Sequence, residues 1–243
     1  MGDPESVTRS RPTYLSLVMP VHNEGVTLRA VLERLGSVDM PLPYELIVVD
    51  DGSSDGAVDR IERAWLPNAD AVRVVAARRN QGKGAALRKG FSLARGDVIG
   101  VQDADLEYDP AQIPDLLRPI VDDEADVVFG SRQFGANASY SFWYTLGNRV
   151  ISLTASMLFD RITTDAYTCY KFMRSECYEQ LQLTADGFEI EAELTAGLLR
   201  GDWRYREVPI SYTARSREEG KKIRPADGMT AIARLLRVRL LGH

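Results

Sequence analysis

Two pairs of carboxylates, Asp50 with Asp51 and Asp103 with Asp105, each stand where an apolar run ends, in "LIVVDDGSSDG" and in "VIGVQDADLEYDP". Short apolar runs bounded by turn formers read as buried parallel strands, and open α/β sheets bind ligands at the carboxyl ends of such strands. Only Ala104 separates Asp103 from Asp105. In an extended or turning segment that spacing can aim both carboxylates at one hard divalent cation, which in turn neutralises a diphosphate. Carboxylates alone repel phosphate, so a cation between them is the physical reason to place them there. The pattern predicts a site for a sugar carried on a nucleoside diphosphate.

Alternating strands and helices must position these groups. The expected strands are Leu15–Val21, "ELIVVD", "AVRVVAA", "DVIGVQ" and "DVVFG". Between them lie the helical patterns "VTLRAVLERL", "AVDRIERAW" after Asp55-Gly56, "GAALRKGFSLA" after the loop 78–82, and "AQIPDLLRPI". Asp109 offers the last of these an N-cap, with Pro110 at its first position and Gln112 at its third. Such βα repetition implies right-handed crossovers and a mostly parallel sheet flanked by helices. After Gly130 the pattern loosens into a long loop, "SRQFGANASYSFW", of the kind usually reserved for function. A helix is expected over 143–159, then a short strand "CYKFMR", a helix "FEIEAELTAGLLRG" stopped by Gly201, and a strand "YREVPISY". A charged loop "SREEGKKIRPADG" precedes a basic amphipathic helix, "MTAIARLLRVRLL".

Composition narrows the class. A chain of 243 residues with 44% hydrophobic content can bury a core of one α/β domain with a C-terminal elaboration. We expect a disordered tail over 1–12 and a single domain over 13–243. That domain divides into a nucleotide-sugar half at 13–130, an acceptor-side half at 131–225 and a terminal helix at 226–243. A net charge of −5 argues against nucleic acid as a partner. Two cysteines, Cys169 and Cys177, without a neighbouring Cys/His pair, speak against a zinc site and against a disulfide scaffold. No apolar run approaches about 18 residues, and the start "MGDPESVTRSRP" is no signal peptide. The expectation is a cytoplasmic protein.

The blocks "PVHNE", "VVDDGSSDG", "NQGKGAAL", "DADLEYDP", "GSR" and "REEGKKI" stand in order at the expected strand ends. From Leu15 to about Leu236 the chain resembles glycosyltransferase family 2, with its GT-A (Rossmann-like) fold. Within it, the chain is most similar to the dolichol-phosphate and polyprenyl-phosphate mannosyl- and glucosyltransferases. The resemblance implies that Pro20, His22 and Glu24 line the base and ribose, and that Val49 and Asp51 flank the base. Asp103, Ala104 and Asp105 would face the sugar diphosphate, with Asp105 the more direct ligand of Mg²⁺ or Mn²⁺. Glu107, where close relatives have Gln, could complete the metal shell. Arg215 and Lys221 match a late basic pair on a loop that closes over the diphosphate, and Arg132 and Arg149 match an acceptor-phosphate site.

Lys83, between two glycines at a helix start, could approach a phosphate alongside backbone N–H groups, although G-K-[ST] of a P-loop is absent. Other residues read more plainly. Asp55 is a helix cap, Arg78 and Arg79 a solvated face, and His22 a pocket wall rather than a catalyst.

Displacing a nucleoside diphosphate from an anomeric carbon requires a stabilised leaving group and a nucleophile placed opposite it. In-line attack inverts the centre. A phosphate monoester, with its second pKa near about 6, needs no general base. A sugar or metabolite hydroxyl would need one, and Glu191 and Glu193 are the candidates, unless they are a surface pair on an amphipathic helix. Apolar residues interleaved with Arg234, Arg237 and Arg239 suit either an anionic membrane surface on the cytoplasmic face or packing on the domain or on a second copy. The leading expectation is therefore an inverting, metal-dependent transferase that moves a hexose from a UDP- or GDP-sugar, uridine preferred, to a polyprenyl phosphate. The alternatives are the same donor chemistry on a soluble hydroxyl, or a sugar nucleotidyltransferase. The last needs a Gly-rich basic loop after the first strand, which "PVHNEG" does not supply.

Overall fold

The computed structural model describes residues 10–133, 137–138, 142–215 and 225–242. Strand β1 (Leu15–Val21) lies inside the sheet, parallel to β2 (Tyr44–Asp50) on one side and to β4 (Val98–Val101) on the other. Every residue of β2 is buried. A strand covered on both faces needs no alternation, which is why the run reads as continuously apolar. Strand β3 (Ala71–Ala76) forms one edge. The seven-stranded order is β3-β2-β1-β4-β7-β5-β8, with β5 at Val127–Ser131, β7 at Lys171–Arg174 and β8 at Tyr205–Pro209. As expected, the sheet is mostly parallel. Strand β7, however, enters between β4 and β5 and runs antiparallel to both. A second small sheet pairs β6 (Asn137–Ala138) with β9 (Tyr212–Thr213).

The helices are α1 (Leu28–Gly36), α2 (Lys83–Phe91), α3 (Ile113–Val121), α4 (Phe142–Phe159), α5 (Ser175–Glu179), α6 (Ile190–Arg200) and α7 (Pro225–Leu241). The Asp109 carboxylate accepts from the Ala111 N–H at 3.1 Å, and a 3₁₀ turn at Pro110–Gln112 runs into α3 as the cap predicts. The main core surrounds the sheet. A second one is built largely from small residues, Ala155, Ala192, Ala196 and Ala231, which let α4, α6 and α7 pack closely.

Two expectations need correction. "AVDRIERAW" is not one helix but two 3₁₀ turns, Val58–Arg60 and Arg63–Trp65, interrupted at Ile61, which is extended (φ −68°, ψ 119°). Val58, Ile61 and Trp65 pack against the main core only partly buried, and the Arg63 guanidinium binds the Leu66 and Ala69 carbonyls beyond the second turn. "YREVPISY" divides into β8 and β9 in different sheets, because Pro209 has no N–H to donate and the chain leaves the large sheet after Ile210 bonds to the Ser131 carbonyl at 3.0 Å. Of the expected tail over 1–12, residues 1–9 lie outside the described residues; the Ser10 carbonyl accepts from Arg174 at 2.9 Å and Pro12 is buried. Most of the charged loop, including Lys221, lies outside the described residues. Its 225–228 portion forms the first turn of α7. Both cysteines are buried free thiols. Among the described residues no helix is long and apolar enough to cross a membrane.

Candidate active site

The carboxyl ends of β1, β2 and β4 open into one cleft. It is lined by Pro20 at the end of β1 and His22 and Glu24 after it, by Asp51 after β2, and by Asp103, Ala104, Asp105 and Glu107 after β4. Lys83 from the start of α2, Phe188 ahead of α6 and Arg215 beyond β9 close it. Parallel strands end on one side of a sheet, so three loops far apart in sequence converge there. Sequence reasoning thus placed ten of its residues in one cavity. Val49 is not among the lining residues: its side chain is buried in the core.

Asp51 shapes the cleft wall. Its two oxygens accept the N–H groups of Gln81 at 2.8 Å and Gly82 at 2.7 Å. The Ala85 N–H donates to the Asp186 carbonyl. These amides at the head of α2, expected to be open to phosphate, are therefore taken by the protein. Gly82 has φ +104°, and a Cβ there would sit 2.3 Å from the Asp186 carbonyl oxygen, so only glycine allows this approach. His22 forms a wall, as expected: its Nδ1 lies 2.9 Å from the Asp51 carbonyl, which that nitrogen satisfies as a donor.

A guanidinium sits among the acids. Arg215 donates to Glu24 at 3.0 and 3.4 Å and to Asp105 at 2.7 Å, while its backbone N–H donates to Glu107 at 2.8 Å. The second Glu107 oxygen accepts from the Tyr212 hydroxyl at 2.9 Å. Glu107 thereby ties the 212–215 segment to the acidic loop, with a further lone pair left on each oxygen. Burial, together with the neighbouring charges of Asp103 and Glu107, pushes the Asp105 carboxyl up to about 7, against the pull of Arg215 and Lys83. The cleft volume is about 200 Å³, less than the 300–1,000 Å³ usual for a small-molecule site, and Arg215 lies across it.

Do these residues suit a divalent cation? The donors are hard carboxylate oxygens, and a cationic side chain already bridges Glu24 and Asp105. Among the described residues no three His, Cys, Asp or Glu side chains converge on a single point. That suits a small cation which takes one or two carboxylates and completes its shell with substrate phosphates. The donor chemistry fits.

The remaining candidates, Glu191, Glu193, Arg132 and Arg149, lie outside this lining, and Lys83 ties the first of them to it. Lys83 Nζ is held 2.9 Å from Asp103 Oδ1 and 2.9 Å from Glu191 Oε1. Glu191 Oε2 in turn pairs with Lys171 at 2.7 Å. Although burial alone would raise the Glu191 carboxyl, Lys171 and Lys83 hold it below the usual range. Glu193 does not line this cleft. It accepts from the N–H groups of Thr184 and Ala185 and from Arg234 at 3.0 Å, holding the loop that packs on Gly82. Neither is the exposed surface pair considered above. Arg132 forms a two-pronged pair with buried Asp165, at 2.6 and 2.7 Å, and stacks 4.9 Å from the Tyr212 ring. Arg149 is exposed on α4, and its neighbour Asn148 donates to the same Asp165 at 2.9 Å.

Sequence reasoning passed over Asp165, Lys171 and Tyr212, together with Asn80, Gly82, Ala86 and Phe188 in the cleft lining. Lys171 left one signal, a lysine inside the apolar strand "CYKFMR".

The sheet order and the acidic cleft define a GT-A glycosyltransferase fold. Glucosyl-3-phosphoglycerate synthase from Mycobacterium tuberculosis shares it: its complex with uridine diphosphate superposes with a TM-score of 0.67 at 23% identity, over 93% of this chain and 80% of that one. A second complex of that enzyme, with Mn²⁺, uridine diphosphate and glucosyl-3-phosphoglycerate, gives 0.65. Residues 16–182 match the model of Glycosyl transferase family 2, and the chain belongs to that family. Among curated relatives, a dolichol-phosphate mannosyltransferase of Pyrococcus furiosus is 29% identical over 85% of this chain and 58% of its own length. A dodecaprenyl-phosphate galacturonate synthase of Rhizobium johnstonii is 30% identical over 83% and 59%. The chain thus spans about three-fifths of the length of these two. It spans 80% of the Saccharomyces cerevisiae dolichol-phosphate mannosyltransferase, at 29% identity.

Proposed function

We propose that the chain transfers a hexose, with inversion, from a UDP- or GDP-sugar to the phosphate of a polyprenyl or dolichyl lipid. The observation that carries this reading is the state of the two glutamates. Glu191 is clamped between two lysines and Glu193 is spent on backbone N–H groups, so neither stands ready to take a proton. A phosphate nucleophile asks for none. The lipid phosphates in the names of the curated relatives support the same acceptor.

Asp105, with Asp103 and Glu107 beside it, would hold Mg²⁺ or Mn²⁺, which neutralises charge on the leaving diphosphate. The Mn²⁺ and uridine diphosphate in the complexes of the synthase that shares the fold are in keeping with this. Pro20, His22, Glu24 and Asp51 form the wall for base and ribose. Arg215 swings from the carboxylates to the diphosphate, and Lys221 joins it. Arg132 and Arg149, on the acceptor side, bind and orient the lipid phosphate. The test is transfer itself: labelled hexose from UDP- or GDP-sugars should pass to a short-chain polyprenyl phosphate with Mn²⁺ present, giving a β-linked product from an α-linked donor. Label that passes only to hydroxyl acceptors overturns the reading.

A peripheral membrane seat belongs to this proposal. Phe142, Leu146, Val150, Leu153 and Met157 recur at helical spacing on the outer face of α4, with Phe142 71% and Met157 77% exposed. On α7, Met229, Leu236 and Leu240 are exposed beside Arg237 and Arg239. Asp227 is the only acidic residue in either helix, although the chain as a whole is acidic. An apolar stripe with basic flanks suits an anionic bilayer surface. The protein should sediment with vesicles containing phosphatidylglycerol more than with pure phosphatidylcholine, and Leu153→Glu with Met157→Glu should release it. Equal sedimentation with and without vesicles refutes the membrane seat.

A further inference from the structure

We infer that Lys171, wholly enclosed behind the cleft, is a positioning residue of the donor site: it holds Glu191, Glu191 holds Lys83 against Asp103, and this chain of charges sets what the cleft presents to metal and diphosphate. The inference rests on the reading of the cleft as a donor site.

The topology brings Lys171 there. Strand β7 runs antiparallel beside β4, with Phe172 paired to Gly100. The first residue of β7 is therefore level with the carboxyl end of β4, next to the loop that carries Asp103. A side chain at this point is sealed from water by the sheet on one side and α6 on the other, and Lys171 is 0% exposed. Its ammonium meets Glu191 Oε2 at 2.7 Å and the Thr168 carbonyl, and lies 5.2 Å from the centre of the Phe129 ring.

Glu191 has one oxygen for each lysine. With Oε2 fixed by Lys171, Oε1 is turned toward the cleft, where it meets Lys83 at 2.9 Å. Lys83 then reaches both Asp103 oxygens, at 2.9 and 3.0 Å. Two ammonium groups and two carboxylates make a closed, neutral set. Its outer half, Lys83 and Asp103, lines the cleft, and its inner half does not. A buried ion pair is a poor device for stability alone, since an apolar pair of similar volume often does as well. What this one supplies is direction. It draws the Lys83 ammonium onto Asp103 and keeps a second uncompensated negative charge away from Asp105.

The charge of the set can be changed one unit at a time without touching the cleft lining. Lys171→Met makes it −1, Glu191→Gln makes it +1, and the double variant restores zero. Manganese alone and uridine diphosphate alone, each titrated into the protein, should respond with opposite signs. Lys171→Met should tighten Mn²⁺ and weaken the metal-free diphosphate, each by about tenfold, and Glu191→Gln should do the reverse. The double variant should return both affinities to within about threefold of the parent. Each single variant should also lower Tm by on the order of 10 °C, from one unpaired buried charge, and the double variant should recover most of it. A purely structural pair would restore Tm without sorting the two ligands by sign. If parent and variants bind both ligands with affinities that do not follow the charge, the inference falls and the cleft reading stands. A parent that binds neither ligand overturns the cleft reading, and the inference with it.

Discussion

Asp105→Asn should abolish sugar transfer and metal-dependent donor binding while the protein stays folded. The change removes one negative charge from the centre of the acidic loop, where Asp105 also anchors Arg215 at 2.7 Å. The expected loss in turnover is on the order of 10³ or more, the scale of removing an electrostatic partner of the transition state. Circular dichroism and Tm should remain near the parent values, because the residue lies in the cleft rather than the core. A pH series adds a second readout. With its carboxyl raised to about 7, Asp105 holds a proton in the folded protein below that pH, and a cation must displace it. Manganese affinity should therefore climb as pH rises from about 6 toward 7 and level off above, whereas in Asp105→Asn the curve should be flat. Unchanged Mn²⁺-dependent donor affinity in that variant would remove Asp105 from the metal site.

The acceptor side gives the second large effect. Arg132→Ala and Arg149→Ala should each lower kcat/KM for a polyprenyl phosphate by about tenfold to a hundredfold, with donor affinity little changed. Arg132→Ala also strands the buried carboxylate of Asp165, so Arg132→Lys is the fairer probe: it keeps the charge but loses the two-pronged geometry. Glu191→Gln and Glu193→Gln should cost less than about tenfold in turnover, since an ionised phosphate gives up no proton. A hydroxyl acceptor reverses the order, and one glutamate change then costs about 10²–10⁴. A variant of either glutamate that folds, binds donor and is catalytically dead sinks the lipid-phosphate proposal.

The sequence made the cleft legible wherever a local pattern and a strand end coincided. Asp51, Asp103 and Asp105 follow apolar runs, and a parallel sheet gathers all such ends on one side, so no distant contact had to be guessed. Val49, one residue before a strand end, differs from them in that the pleat turns its side chain into the core. Asp165 and Lys171 were missed for a different reason. Their roles depend on partners 33 residues back, at Arg132, and 20 residues on, at Glu191, across an inserted antiparallel strand. The helix expected near Ile61 had the right periodicity, and Val58, Ile61 and Trp65 do meet the core, but as two short turns whose break at Ile61 no local pattern announces.

That inserted strand also dictates an order of assembly. Strand β5 has only β7 and β8 as neighbours, so at the moment it leaves the ribosome it has no strand already made to pair with. Strand β4 is likewise left with one bare side until residues 171–174 arrive. A nascent chain that stops short of them carries three unpaired margins on these strands, one on β4 and two on β5, each a template for another chain. Once β7 docks, it closes two of these margins in one step and places Lys171 where Glu191 meets it, and β8 closes the third. Residues 13–131 therefore should not fold as a self-sufficient piece: their last strand, β5, takes both its partners from later in the chain.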